Sequence, residues 1–285
     1  MAFQPPAFLA AEPHASLPIK TVFQGEQKFG QLLKQAPRWK SLPLGDRIAA
    51  VGLALCGTPY KGSALEIDDH IEAPSVNLNG LDCWTFFETS LAFARMLEEP
   101  SENWTPKTFL RYIEVDRYRG GKCDGSYLSR LHYLEEWILD NAERGWVANL
   151  TRSLGGHRVQ HPATEMTIHW KSYRYMRANP AVRRGIEAME ERVARLPMEH
   201  IPKSDVAAIE PRLRSGDILC ITTHDSGGIG TSHVGLAYRA ADGQLHFMHA
   251  SAPRNHGKVL VDARLSRYLH TFSSIAGIMV ARPLR

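Results

Sequence analysis

Three side chains in this sequence have the types and surroundings for nucleophilic chemistry: Cys83, His233 and His249. Cys83 stands in NLNGLDCWTFFETS, where an Asn/Gly-rich loop gives way to a helical pattern with apolar residues at Trp84, Phe87, Leu91 and Ala94. Asp82, directly before it, is a good N-cap. A cysteine in the first helical turn lies near unsatisfied backbone N–H groups and the positive end of the macrodipole, which favours the thiolate over the thiol. The same amides could hold the oxyanion formed when the sulfur attacks a carbonyl. Two considerations oppose this reading. Free cysteine is among the most buried residue types, and the Asp82 carboxylate works against ionisation unless capping directs its charge away.

A thiol nucleophile needs a base. His233 opens a strand-like segment in SHVGLAYR, and His249 closes the next one in QLHFMHAS, sixteen residues later and across an Asp242-Gly243 turn signal. Adjacent antiparallel strands would bring the two imidazoles together. The roles would then be Cys83 as nucleophile, His233 as general base and then acid, and His249 as the group that orients the His233 ring. Each of the thirteen histidines is by default a hydrogen-bonded surface or core residue. Pairing across the turn brings the catalytic reading level with that default.

Other chemistries fit less well. Asp68, Asp69 and His70 form a possible metal-ligand set, but no H-E-x-x-H or close ligand pair supports it, and IDDHIE reads more simply as a solvated loop. No metal or organic cofactor is therefore expected. GGIGTSHVG lacks G-x-S-x-G, and its partial likeness to G-x-G-x-x-G precedes a strand instead of a helix. Cys56, Cys83, Cys123 and Cys220 contain no C-x-x-C pair, and four cysteines in 285 residues are not a disulfide framework. A net charge of +4, evenly spread, does not suggest a nucleic-acid partner. The longest apolar runs, such as Ile48 to Cys56, fall short of the roughly 18 to 20 residues a membrane span needs. The first residues, MAFQPPAFLAAEP, have no basic start or unbroken apolar stretch of a secretory signal, as would also be true of a chain whose leader is already removed.

These residues need elements to hold them. Partial helical stripes run over Phe23 to Ala36 and through LPLGDRIAAVGLALC, and Gly57-Thr58-Pro59-Tyr60 stops the second. The Cys83 helix follows. Between about Asn103 and Pro202 the composition shifts to Arg, Tyr, Trp and His, an elaboration on the core. Tyr112, Tyr118, Tyr127 and Trp137 there could face a sugar ring, although such aromatics are more often core. The last third changes period: DILCITT, HVGLAYR, QLHFMHAS, KVLVD and GIMVARP read as an antiparallel meander. Helices first and strands last give an α+β fold.

GTPY, LDCWTFFE, SGDILCI, SHVGLAY and MHASA, in that order, resemble the papain-like NlpC-type superfamily of bacterial cell-wall hydrolases. With YRGGKCDGSYLSRLHYLEEW, TSHVGLAY and the terminal GIMVARP, the chain resembles the N-acetylmuramoyl-L-alanine amidase-like branch, once catalogued as a domain of unknown function. The resemblance runs from about Trp39 to the C-terminus. It implies a papain-like α+β catalytic domain over 39–285, preceded by an extension over 1–38. It implies a triad of Cys83, His233 and His249, with Tyr60 lining the oxyanion side and Asp82 and Ser232 beside the substrate. Arg130 and His132 of SRLHY could line a sugar-binding side, or else belong to a polar helix face with Leu131 and Leu134 packed inward.

The implied substrate is the amide joining N-acetylmuramic acid, in the anhydro form, to L-alanine in peptidoglycan fragments. The implied alternatives are cleavage between D-Glu and the diamino acid, or a catalytically idle module that binds wall fragments. The implied location is the periplasm or cell envelope, with the cytoplasm left open. One departure stands out: Trp84 follows the cysteine, where many superfamily members have a small polar residue.

Overall fold

Residues 21–66, 72–225 and 227–284 are described by the structure, a computed structural model. A short strand, β1 (Val22–Gln24), leads into helices α1 (Glu26–Trp39) and α2 (Leu44–Leu55). α1 buries Phe29, Leu32, Ala36 and Trp39, spaced three and four apart as an amphipathic helix requires. α1 ends at Trp39, where the resemblance begins the catalytic domain, and its apolar stripe belongs to the main core. α2 ends where the sequence indicates: Gly57 takes a left-handed φ of 87°, and Pro59 cannot continue a helix.

Strand β2 (Ser75–Asn77) pairs in parallel with β1 and delivers the chain to α3 (Cys83–Met96). Every residue of α3 from Thr85 to Met96 is buried, because α2, α4 (Pro106–Arg117) and the large sheet all pack around it. A helix buried on all sides must satisfy its polar groups internally. Glu88 therefore pairs with Arg117 at 2.9 Å, and Arg95 with Asp116.

The elaboration between 103 and 202 contributes α5 (Leu134–Glu143), β3 (Val147–Asn149), β4 (His157–Arg158), α6 (Glu165–Ile168), α7 (Arg174–Ala178), α8 (Pro180–Val193) and β5 (Glu199–Pro202). It has a small apolar core of its own, including Tyr127, Tyr133, Met166, Tyr175, Ile186 and Val193. Its three strands nonetheless join the main sheet, so it is woven into the fold.

The five strands read from the last third all form: β6 (Ile218–Asp225), β7 (Gly228–Arg239), β8 (Leu245–Ala250), β9 (Val259–Arg264) and β10 (Ile275–Pro283). The eight-stranded sheet runs β4-β5-β10-β6-β7-β8-β9, with β3 also on β10, and its pairs are antiparallel. β6 to β9 make the expected meander. β10 departs from it, returning to the far side of β6. Its burial on both faces explains this, since a strand apolar throughout belongs in the interior of a sheet. The sheet's two faces hold different cores. Cys220, Val234, Leu236, Met248 and Ala250 pack toward the helices, while Leu219, Ile221, Ala237 and Phe247 pack toward the short helix Leu265–Leu269.

Gly235 in β7 illustrates how tightly the histidine-bearing strands approach. A Cβ there would lie 2.5 Å from the Met248 carbonyl oxygen and 2.7 Å from the Phe247 ring. Gly235→Ala is therefore expected to cost about 1–3 kcal/mol by overpacking. Thermal melting would detect the drop, and an unchanged Tm would contradict the packing described.

Candidate active site

Cys83 is the first residue of α3, and its position is fixed by what precedes it. Asp82 accepts hydrogen bonds from the Thr85 N–H and the Thr85 hydroxyl, both at 2.8 Å, while the Thr85 hydroxyl accepts from the Asp82 N–H at 2.9 Å. This reciprocal cap satisfies early amides of the helix and holds the Asp82 side chain against it. Asp82, placed by sequence beside the substrate, lines the cavity but spends its carboxylate on the cap. The loop before it is tied to the GTPY strap, with the Leu81 N–H donating to the Pro59 carbonyl (3.0 Å) and the Lys61 N–H to the Leu81 carbonyl (3.1 Å). These bonds hold Tyr60 at the edge of a cavity that Cys83 also lines.

His233 owes its position to an irregularity. β6 and β7 pair Ile221 with His233 but Thr222 with Thr231, leaving Ser232 unpaired in a β-bulge. A bulge bends its strand and re-aims the side chains beside it. The next strand supplies His249, and the His233 Nε2 and His249 Nδ1 atoms lie 2.6 Å apart. The third supplies a residue that the sequence reading missed. His249 Nε2 is 3.2 Å from Asp262 Oδ2 on β9.

The direction of this chain follows from its last member. A carboxylate only accepts, so His249 Nε2 carries the proton that faces Asp262. Neutral His249 then has a bare Nδ1, which accepts from His233 Nε2–H, and neutral His233 is left with a bare Nδ1. A bare nitrogen is what a general base needs.

Cys83, Ser232 and His233 line two cavities that meet at them. One, of about 400 Å³, continues over Trp84, Tyr127, Arg130, His132 and Tyr133. The other, of about 270 Å³, continues over Tyr60, His249, Ser251 and Arg254. Ser232 is exposed at the junction.

The charge state differs from the sequence expectation. Burial pushes the Cys83 thiol up to about 12, and the Asp82 charge adds to the effect. The backbone N–H groups of Val234, Trp84 and Cys83 itself act the other way and are outweighed. The helix-terminal thiolate anticipated from position is thus corrected to a thiol, because desolvation exceeds the help of the amides. Burial, then the neighbouring His249, lowers His233 to about 3. His249 is lowered by burial against the opposing pull of Asp262. The hydrogen bond from His249 in turn keeps Asp262 below the ordinary carboxylate range. At neutral pH the centre therefore holds a thiol and neutral imidazoles in the wall of one cavity. Tyr60 is raised to about 12, chiefly by burial, and keeps its proton.

The larger cavity takes one wall from the elaboration. Arg130 and His132 both line it, but not from a helix, since α5 begins only at Leu134. Arg130 lies over the Tyr127 ring at 4.6 Å and donates to the Leu65 carbonyl at 3.1 Å. One His132 ring nitrogen is 2.8 Å from the Tyr127 carbonyl, and burial holds this ring well below the usual histidine range. Of the four aromatics considered for sugar contact, only Tyr127 lines this cavity. Tyr118 and Trp137 are core, and Tyr112 donates to Glu99 at 2.9 Å. Trp84, the bulky residue after the cysteine, donates to Glu88 at 2.7 Å, which fixes its ring in the cavity wall.

Among the described residues no group of three or more His, Cys, Asp or Glu side chains could hold a metal ion, and no helix is long and apolar enough to cross a membrane. Asp68, Asp69 and His70 lie outside the described residues.

A family model described as N-acetylmuramoyl-L-alanine amidase-like matches residues 50–277. The crystal structure of an N-acetylmuramoyl-L-alanine amidase from Bacteroides uniformis is 28% identical, covering 85% of this chain and 99% of its own, with a TM-score of 0.76. A putative xylanase from Bacteroides fragilis is 33% identical over 82% of this chain and 99% of its own, with a TM-score of 0.71. A Legionella pneumophila protein, 19% identical over 91% of this chain and 95% of its own, shares the fold with a TM-score of 0.67. No curated protein matches the chain.

The charge balance at Cys83 is open to test. Asp82→Asn keeps a good cap but removes the second-largest influence raising the thiol, so a larger thiolate fraction is expected at any given pH. Iodoacetamide labelling of Cys83, followed by mass spectrometry from pH 6 to 10, should shift to lower pH in the variant. An unchanged profile would contradict the part assigned to Asp82.

Proposed function

The chain belongs to the N-acetylmuramoyl-L-alanine amidase-like family, a family of amide-bond hydrolases, and from that premise we propose that it is a cysteine amidase of papain-like design. Its substrate is the amide between the lactyl group of N-acetylmuramic acid, in its anhydro form, and L-alanine in peptidoglycan fragments. One observation carries the reading: a thiol at a helix N-terminus and an imidazole oriented by a second ring and a carboxylate line the same two cavities where these join. Such fragments arise in the periplasm or cell envelope, where the protein would work.

In the reaction, His233 Nδ1 takes the Cys83 proton as the sulfur attacks the lactyl carbonyl carbon. The C–N bond then breaks, the proton passes to the departing L-alanine amine, and a thioester remains. Water, giving a proton to His233, attacks the thioester, and return of that proton to sulfur releases the lactyl carboxylic acid. Because the thiol rests protonated, proton transfer and attack proceed together instead of from a stored ion pair. The Cys83 N–H, the first amide of its helix, and the Tyr60 hydroxyl are suited to the oxyanion.

The name of the Bacteroides fragilis protein invites a glycosidase reading. That chemistry uses two carboxylates flanking the scissile bond. In the larger cavity Asp82 is committed to its cap, and Glu66 accepts from the Arg174 N–H and the Tyr127 hydroxyl, at 3.1 and 3.3 Å. Their partners leave neither as a free acid or nucleophile, and Glu165, the remaining carboxylate of that cavity among the described residues, is one where two are needed.

Mass analysis of the products from one defined anhydro-disaccharide-tetrapeptide tests the proposal. Free tetrapeptide is expected from the wild type, with turnover abolished in Cys83→Ala while its thermal melt is nearly unchanged. Disaccharide-dipeptide would mean cleavage between D-Glu and the diamino acid, and binding without turnover would mean an idle module. In Tyr60→Phe, kcat is expected to fall about 100-fold with little change in KM. An unchanged kcat would remove Tyr60 from the oxyanion site.

A further inference from the structure

The two cavities that meet at Cys83 differ in charge, and the difference gives the cleft a direction. Three carboxylates, Glu66, Asp82 and Glu165, line the larger one against a single cation, Arg130, which Glu72 already pairs at 3.6 Å, together with the aromatic faces of Trp84, Tyr127 and Tyr173. Among the described residues no carboxylate lines the smaller one, whose wall carries Arg254. Arg254 is exposed, and among the described residues no acidic group pairs with it. Its charge is nevertheless felt at the Tyr60 hydroxyl.

The turn that presents Arg254 is anchored. The Asn255 N–H donates to the Ala252 carbonyl at 2.9 Å, and the Tyr60 N–H to the Gly257 carbonyl at 2.8 Å. This ties the turn to the strap beside the nucleophile. A second, independent feature lies in the same wall. Ser251 is 1% exposed, and its hydroxyl has no hydrogen-bond partner. A buried hydroxyl without a partner is costly unless a ligand supplies one.

We propose that the smaller cavity binds the stem peptide and that Arg254, with the Ser251 hydroxyl, reads the free α-carboxylate of the residue after L-alanine, while the glycan occupies the larger, acid-lined cavity. The inference rests on the amidase reading above. An uncharged sugar tolerates the carboxylates of the larger cavity and gains from its aromatic faces, whereas an anionic peptide would be repelled there. His233, which must protonate the leaving L-alanine amine, sits where the two cavities join, and His249 behind it lines the smaller one alone. In the stem peptide that second residue is a γ-linked D-glutamate, so its α-carboxylate is available unless it has been amidated.

The test compares two synthetic substrates, anhydro-disaccharide–L-Ala–γ-D-Glu and its α-carboxamide counterpart. The wild type is expected to prefer the carboxylate by about tenfold in kcat/KM, the order of one charge-assisted hydrogen bond. Arg254→Ala should abolish that preference, by raising KM for the carboxylate far more than for the carboxamide, and Arg254→Lys should restore part of it. Ser251→Ala should lower kcat/KM for the carboxylate more than for the carboxamide. A wild type that does not distinguish the two, or an Arg254→Ala variant that loses both equally, would overturn the assignment. Absence of any freed L-alanine-terminated dipeptide with the wild type would instead overturn the amidase reading and the assignment with it, a result that does not depend on residue 254.

Discussion

One chain of hydrogen bonds decides where the reactive lone pair sits: Asp262 to His249 to His233. A carboxylate at one end makes the outcome directional, because each neutral ring can carry only one proton and each bond spends it. The rest of the structure serves that geometry. Three consecutive strands, β7, β8 and β9, each supply one member, and a register slip by a single residue would turn a member to the other face of the sheet. The bulge at Ser232 re-aims His233, and the glycine at 235 lets β7 approach the Phe247 ring on which His249 stacks at 4.6 Å.

Set against that chain is a cysteine whose environment pulls in two directions. The helix terminus supplies amides, but burial and the Asp82 cap raise the thiol further than those amides lower it. The same burial that holds the imidazoles neutral keeps the thiol protonated, so both partners rest without charge. A partner that arrives to accept the proton at the moment of attack replaces a standing charge. Desolvation here therefore favours a neutral pair, and the aspartate needed to stop the loop and start the helix adds to that preference.

Much of this was legible in the sequence because it is local. The Asp82 cap, the stripe behind Cys83, the five strands and the turn between the two histidines are all signals within a few residues of one another. Asp262 was missed although KVLVD was read as a strand. β9 places Leu260 opposite His249, and alternation carries Asp262, two residues on, to the same face. What the sequence could not carry is non-local: the return of β10 to β6, the packing of α1 into the main core, and the non-helical course of residues 130–133. The thiol's protonation belongs to the same class, since the burial that raises it comes from tertiary packing and not from its neighbours in sequence.

The elaboration that forms one wall of the larger cavity is tied to the sheet through β3, β4 and β5, so the cleft's two sides belong to one framework. Its chemistry rests on which ring nitrogens carry protons, and nitrogen-15 NMR of the histidine side chains at pH 7 reads this directly. Both His233 and His249 are expected to be neutral, protonated at Nε2 and bare at Nδ1. An imidazolium at either position, or a His233 ring protonated at Nδ1, would contradict the proton order on which the proposed base depends.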